Sequence, residues 1–335
     1  MAWQCEPVQY PRLRPAANSE EYLLHQAALE WSLADPIIIN SADDIKSARS
    51  WRELLKPYEH QVRNLMTFCR RLPVTLIADD VGLGKTISAG LILSELMERR
   101  KVSRALVLCP KILLPQWEEE LLAKFKLESR AVTGRAFADE LGRSTPVVVT
   151  TYDTARNYFD ELERARFGFL ILDEAHKLRN LYGTAKPPNF ATRIHDALKK
   201  RTFKYVLMLT ATPLHNRLWD LYSLVDCLAT ARGHENPLGD PQAFGVHFLA
   251  DQSTGARRLR PQRAAQFHEI LGQYLARTRR ADVKLLFPQR KVVLIPVKPA
   301  AIELAMTGLV REVVQGLNGL SQASLAQALM SSPEA

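Results

Sequence analysis

Five short runs rich in apolar and β-branched residues, at 74–78, 105–108, 147–151, 167–172 and 205–209, alternate along the chain with stretches whose apolar residues recur at helical spacing. Strand, helix, strand is the rhythm of a parallel sheet, and runs this apolar need cover on both faces. The expected fold class is therefore α/β, a parallel sheet with helices on both faces. Sheets of this kind bind ligands outside the carboxyl ends of their strands. Chemistry is to be sought just after each run.

The first run leads into Asp79-Asp80-Val81-Gly82-Leu83-Gly84-Lys85-Thr86, after which Ile87, Leu91, Ile92 and Leu96 mark a helix over 87–100. Unpaired backbone N–H groups at a helix N-terminus attract an anion, so this turn reads as a phosphate cradle. Lys85 supplies charge to the β and γ phosphates of ATP, and the Thr86 hydroxyl is a ligand for Mg²⁺. The strict fingerprint has a glycine where Asp79 stands. A helix N-terminus that happens to contain two glycines is the plain alternative.

Run 167–172 ends in Asp173-Glu174-Ala175-His176. Two carboxylates at the end of a buried strand need a cation: Asp173 fits a Mg²⁺ holder acting through water, and Glu174 the base for an attacking water. His176 falls between this site and the next motif as a coupling residue. Run 205–209 ends in Thr210-Ala211-Thr212-Pro213, whose hydroxyls can reach His176 or the carboxylates; alone it is an ordinary turn. Upstream lies Leu55-Lys56-Pro57-Tyr58-Glu59-His60-Gln61, in which Gln61 can read an adenine edge with its donor and its acceptor.

Of 335 residues, 47% are hydrophobic, enough for a full core. No run reaches the roughly 20 apolar residues of a membrane span, and residues 1–15 hold no apolar signal core, so a cytoplasmic, nucleoid-associated protein with no membrane partner is expected. Cys5, Cys69, Cys109 and Cys227 are scattered, which points to reduced core thiols. The net charge of +9 is concentrated: residues 257–291 hold ten Lys or Arg against two acids, including Arg277, Arg279 and Arg280. Such a segment is either a solvated face or a polyanion contact.

Along the chain, residues 1–50 read as an appendage with helices started by Ser19 and by Ser41, the latter with Asp44 at capping-box spacing. Residues 51–230 form the nucleotide-binding lobe. Residues 231–290 are an insertion and basic connecting segment, in which Gly, Pro and Gln predict a long surface excursion over 231–264 and helix resumes over 267–277. Residues 291–335 begin another lobe, opening with a strand over 291–297.

Taken in order, these motifs resemble the helicase-like ATPases of superfamily two, most closely the Swi/Snf-related DNA translocases. Gln61 matches the family's Q motif, and 80–86 all but the first residue of its Asp-Glu-x-Gly-Leu-Gly-Lys-Thr motif, with Asp80 in place of the usual glutamate. Val107-Leu108-Cys109-Pro110 with Gln116-Trp117 resembles motif Ia, Val149 to Tyr152 motif Ib, Asp173 to His176 motif II, and Leu209 to Asn216 motif III, with His215 for glutamine. The resemblance spans about residues 55–297. It implies a RecA-like first motor lobe, ATP and Mg²⁺ as cofactors, Gln61 and Asp80 to Thr86 as ATP contacts, and Thr210 and Thr212 as coupling residues.

It also implies duplex DNA as partner, held by its phosphates through Pro110, Lys111, Thr151, Arg156, Arg277, Arg279 and Arg280, since a motor moving along DNA should not read sequence. Trp117 is either a base-stacking ring or the core anchor of an amphipathic helix. The turn and helix are similar to a bacterial branch that includes RNA-polymerase-recycling and phage-defence ATPases, so subunits of a defence or transcription-associated complex are further expected partners. No Gln-x-x-Gly-Arg-x-x-Arg segment follows residue 297; such arginines contribute about 10³ to 10⁵ in rate in phosphoryl-transfer ATPases. The expectation is a fragment that binds ATP and hydrolyses it weakly. A strand-separating helicase and a nucleotide-gated partner-binding module are the competing functions.

Overall fold

The computed structural model describes residues 18–19, 37–182, 188–213, 217–251 and 256–283. The chain divides into two units, 1–284 and 285–335, and the second lies outside the described residues, as do the helix expected from Ser19 and the strand expected over 291–297.

Within the first unit the chain runs α1 (Ala48–Trp51), α2 (Glu59–Arg70), β1 (Val74–Ile77), α3 (Lys85–Glu98), β2 (Ala105–Cys109), α4 (Leu114–Phe125), β3 (Ser129–Ala131), α5 (Arg135–Leu141), β4 (Val147–Thr151), α6 (Tyr152–Asn157), α7 (Phe159–Arg164), β5 (Phe169–Asp173), α8 (Asn189–Lys199), β6 (Tyr205–Leu209), α9 (Leu218–Arg232), α10 (Pro241–His247), α11 (Ala264–Tyr274) and β7 (Leu275–Ala276). The strands form one sheet in the order β3-β4-β2-β5-β6-β1-β7, every pair parallel. All five expected strands are present, and the sheet is the RecA-like α/β fold.

Because successive strand residues face opposite sides, the sheet separates two cores. Leu76, Leu108, Leu172 and Met208 pack with α6 to α11, whereas Ile77, Val107, Ile171 and Leu207 pack with α2, α3 and α4. The second core also includes Ile37, Ile39, Ile45, Ala48 and Trp51, so residues 37–51 join the packing of the lobe. They are held by Glu95 of α3, a fully buried carboxylate that accepts from the amides of Lys46 (3.1 Å) and Ser47 (2.8 Å) and pairs with Arg99 (2.6 Å). Ser41 starts only a single 3₁₀ turn, Ala42–Asp44, in which Asp44 reaches back to the Ser41 amide at 2.9 Å.

Two expectations need correction. The segment expected as a surface excursion contributes Leu238, Phe244, Phe248 and Leu249 to the core, where the Phe244 ring lies tilted 4.6 Å from Tyr222 and meets Trp219 edge-on at 5.0 Å. Aromatic burial here outweighs the local Gly and Pro content. Helix α11 ends at Tyr274 rather than continuing to 277, because Leu275 and Ala276 pair with Leu76 and Ile77 and extend the sheet. Cys69, Cys109 and Cys227 are free buried thiols, as expected.

Candidate active site

The strand order brings the motifs together. β6 lies between β1 and β5, and Ile77 and Asp173 are both in register with Leu209, so the three strands end level. The phosphate turn, Thr210 and the carboxylate pair therefore leave the same edge side by side.

Gly84 caps α3 with φ 73° and Gly82 has φ 85°, left-handed values that glycine adopts without steric cost. A Cβ on Gly84 would come within 2.5 Å of Gln61 Nε2, so a side chain there would push the end of Gln61 away from its present place. Gln61 is buried with both ends engaged: its amide donates to the Leu83 carbonyl at 3.1 Å, and its oxygen accepts from the Tyr58 amide at 2.9 Å. His60 reaches the same carbonyl at 2.8 Å. Each end of the Gln61 side chain has one bonding position left, a second N–H on Nε2 and a second lone pair on Oε1, and the adenine contact expected of Gln61 would have to use these. Lys85 donates from Nζ to the Asp79 carbonyl at 3.1 Å, and Thr86 follows it, half-buried, in the first turn of the helix.

Asp173 is 5% exposed, and each of its oxygens accepts one bond: Oδ2 from Trp117 Nε1 at 2.9 Å, Oδ1 from the Glu174 amide at 2.9 Å. Burial raises its carboxyl above the ordinary range, Glu174 adds to the rise, and the bonds from Trp117 and Glu174 and the Lys85 charge oppose it. The Trp117 ring is buried in the second core, which makes it the anchor of α4 and removes it as a base-stacking surface. That its indole also orients Asp173 is not legible in the sequence. Tyr152 is a second such residue, donating to the Asp173 carbonyl at 2.8 Å.

Glu174 adopts φ 52° and ψ 50°, a left-handed conformation that costs a non-glycine residue roughly 1–2 kcal/mol. Its carboxylate meets His176 Nδ1 at 3.1 Å, and the same nitrogen lies 3.4 Å from Thr210 Oγ1. Thr210 Oγ1 in turn accepts from the Thr212 amide at 3.2 Å. The strained backbone thus starts a continuous polar path from Glu174 through His176 to the motif after β6. Leu214, His215 and Asn216 lie outside the described residues.

The residues expected to contact DNA phosphates fall into two groups. Pro110 and Lys111 follow β2, with Lys111 exposed, and Thr151 caps α6 by accepting from the Thr154 amide at 3.1 Å; the exposed Arg156 pairs with Asp153 at 3.2 Å. Arg277, Arg279 and Arg280 are exposed and follow β7. Two of them are tied to the phosphate turn: Arg277 faces Asp80 at 3.8 Å, and Arg280 donates from Nε to the Val81 carbonyl at 2.9 Å.

The donor set fits a Mg²⁺ nucleotide. Backbone amides at a helix start and one lysine suit phosphate, and a lone threonine hydroxyl with one carboxylate suits a cation that takes its remaining ligands from phosphate and water. Among the described residues no cluster of three or more His, Cys, Asp or Glu could hold a metal by itself.

Fold and site together define a RecA-like α/β lobe with a glycine-containing turn beside a carboxylate pair. The SNF2-related domain family matches residues 58–328, and the chain belongs to that family. YqhH of Bacillus subtilis, described as an uncharacterized ATP-dependent helicase, is 30% identical over 297 residues, covering 87% of this chain and 48% of the relative. The RNA polymerase-associated protein RapA of Vibrio cholerae is 33% identical over 153 residues, 43% of this chain and 15% of that one. The match thus spans about half the length of YqhH and a smaller share of RapA. The Sulfolobus solfataricus SWI2/SNF2 ATPase core, solved in complex with double-stranded DNA, shares the fold at a TM-score of 0.50 and 22% identity, covering 83% of this chain and 58% of that one.

Proposed function

We propose that the chain is the ATP-binding motor lobe of a duplex-DNA translocase. The observation that carries this reading is the level ending of β1, β6 and β5, which sets Lys85, Thr210 and the Asp173–Glu174 pair along one edge. Amides of 82–86 and Lys85 bind the phosphates, and Thr86 and Asp173 hold Mg²⁺, which when bound polarises the transferring phosphoryl group. Glu174, aimed by its left-handed backbone, orients and deprotonates the attacking water. His176 passes the state of Glu174 to Thr210 and Thr212. Gln61 and Asp80 complete the ATP contacts, and Lys111, Thr151, Arg156 and Arg279 hold DNA phosphates beside Pro110.

Hydrolysis by residues 1–335 alone is weak in this reading, because the arginines expected of a second lobe are not among them. RapA's association with RNA polymerase supports a transcription-associated complex; a defence complex, and a place in the cytoplasm on the nucleoid, are further parts of the proposal. No helix among the described residues is long and apolar enough to cross a membrane.

Titration with a fluorescent ATP analogue, with and without Mg²⁺, tests the site. Saturable, Mg²⁺-enhanced binding that is lost in Lys85→Ala is expected; equal binding by the variant overturns the assignment. Strong DNA-stimulated turnover by residues 1–335 would refute the weak-hydrolysis claim. Displacement of a triplex strand without unwinding of a duplex separates a translocase from a strand-separating helicase.

A further inference from the structure

Asp79 stands where the strict phosphate fingerprint has a glycine, and no part of the reaction above uses its side chain. It is fully buried at the end of β1. Its Oδ2 accepts from Asn64 Nδ2 of α2 at 2.7 Å, and the same amide reaches Ser88 Oγ of α3 at 3.1 Å. Its Oδ1 accepts from the backbone amide of Thr278 at 2.7 Å, across 199 residues of sequence. Its carbonyl holds Lys85 Nζ. One residue therefore touches the phosphate lysine, the helix that carries Gln61, and the segment by which the chain leaves the sheet.

That segment is laced to the turn beyond Asp79 as well. The Ala78 amide donates to the Ala276 carbonyl at 2.7 Å and the Asp80 amide to the Thr278 carbonyl at 3.1 Å. The Arg280 amide donates to Asp80 Oδ2 at 3.0 Å, and its side chain, besides binding the Val81 carbonyl, lies 3.3 Å from where a Cβ on Gly82 would sit. Bonds of this density make the turn and residues 276–280 one body, and a phosphate bound in the turn would place negative charge beside Arg280.

We infer that Asp79 is a positioning residue that links occupancy of the phosphate turn to the order of the exit segment at Thr278 to Arg280. The inference rests on the nucleotide-binding reading. Thermodynamic linkage makes the effect reciprocal: whatever holds the exit segment in place tightens nucleotide binding, and nucleotide holds the exit segment.

Amide hydrogen exchange on the full chain, with and without ATP analogue and Mg²⁺, is the test. In the wild type, nucleotide should slow exchange at Thr278 and Arg280 by about 5- to 150-fold, the usual span of coupling between linked sites. Asp79→Ala removes the acceptors of Asn64 Nδ2 and of the Thr278 N–H together, so the nucleotide-induced protection should vanish and affinity fall by a comparable factor. The double exchange Asn64→Asp with Asp79→Asn reverses the polarity of the pair. The carboxamide then standing on β1 can donate to the carboxylate then standing on α2 and still accept from the Thr278 N–H, while the Ser88 hydroxyl can donate to that carboxylate. Protection and affinity should return. Nucleotide that binds the wild type without altering exchange at 276–282 overturns the inference while leaving the site intact. So does an Asp79→Ala protein that melts earlier but keeps its nucleotide-induced protection, which would make the residue merely structural. Failure of the wild type to bind nucleotide overturns the functional reading and this inference with it.

Discussion

A single indole nitrogen holds Asp173 in place at the end of β5. Without Trp117 Nε1 the buried Oδ2 would lose the donor that satisfies it, and an unsatisfied buried acceptor costs about 1–3 kcal/mol. Trp117→Phe keeps most of the core volume of α4 and removes the donor. We expect the variant to lose about that much unfolding free energy by urea denaturation, and to bind nucleotide with weakened Mg²⁺ dependence. Full retention of both would mean that the indole serves packing alone. Chain order announces a carboxylate after a strand, yet it does not announce that a tryptophan 56 residues earlier points at it. The apolar face of α4 tells which side is buried; the neighbour across the sheet follows only from β2 and β5 being adjacent. Gln61 illustrates the same limit. Its position before the turn is legible, whereas the bonds that its carboxamide oxygen and nitrogen make to Tyr58 and Leu83 depend on how α2 leans on the turn.

At the scale of elements, strands with strong apolar runs are legible in the sequence and marginal ones are not. β7 is two residues long, and its pairing with β1 supplies what its own sequence lacks. Helix α10 lies in a Gly- and Pro-containing stretch, and its place is set by Phe244 meeting Trp219 and Tyr222 rather than by propensity. The docking of residues 37–51 likewise hangs on Glu95 inside α3, a charged residue that looks like a solvated helix position in sequence. Glu95→Ala would leave the Lys46 and Ser47 amides and the Arg99 guanidinium without this acceptor. Breaking a buried charged pair of this kind costs roughly 3–5 kcal/mol, and thermal unfolding should show the loss; a change below about 1 kcal/mol would show that residues 37–51 hold by apolar contact alone.

A second element-level prediction concerns α8 and α9. Burial alone would raise the Asp226 carboxyl, but His195 at 2.8 Å, Tyr182 at 2.6 Å and Asn236 at 3.1 Å outweigh it and hold it below the ordinary range. A depressed carboxyl contributes stability that is fully present above its unfolded value, about pH 4. That contribution is lost as pH falls through the folded value. The stability gap between wild type and Asp226→Asn should therefore narrow as pH falls below about 4 in urea titrations. A gap that does not change down to about pH 3 would mean that the ionised carboxylate is not what the network stabilises.

For the whole molecule, the question is where its positive charge goes. Much of the net +9 resides in 257–291, which as sequence reads as one basic segment. The fold divides it. Arg277 and Arg280 face the phosphate turn and its acids, while Arg279 is exposed beside them and Lys111 is exposed after β2. If DNA phosphates are held through Lys111 and Arg279, each neutralised phosphate releases counterion, and log K falls with log salt by about 0.9 per contact on duplex DNA. Lys111→Ala and Arg279→Ala should each weaken duplex binding equally on unrelated sequences and reduce that slope by about 1. Arg280→Ala, which removes the side chain lying over the phosphate turn at the Val81 carbonyl, should leave the slope unchanged and instead weaken nucleotide binding. Fluorescence anisotropy with labelled duplexes from about 50 to about 200 mM salt separates these outcomes. A slope reduced by Arg280→Ala as much as by Arg279→Ala would return Arg280 to the DNA surface and leave the phosphate turn without its cover.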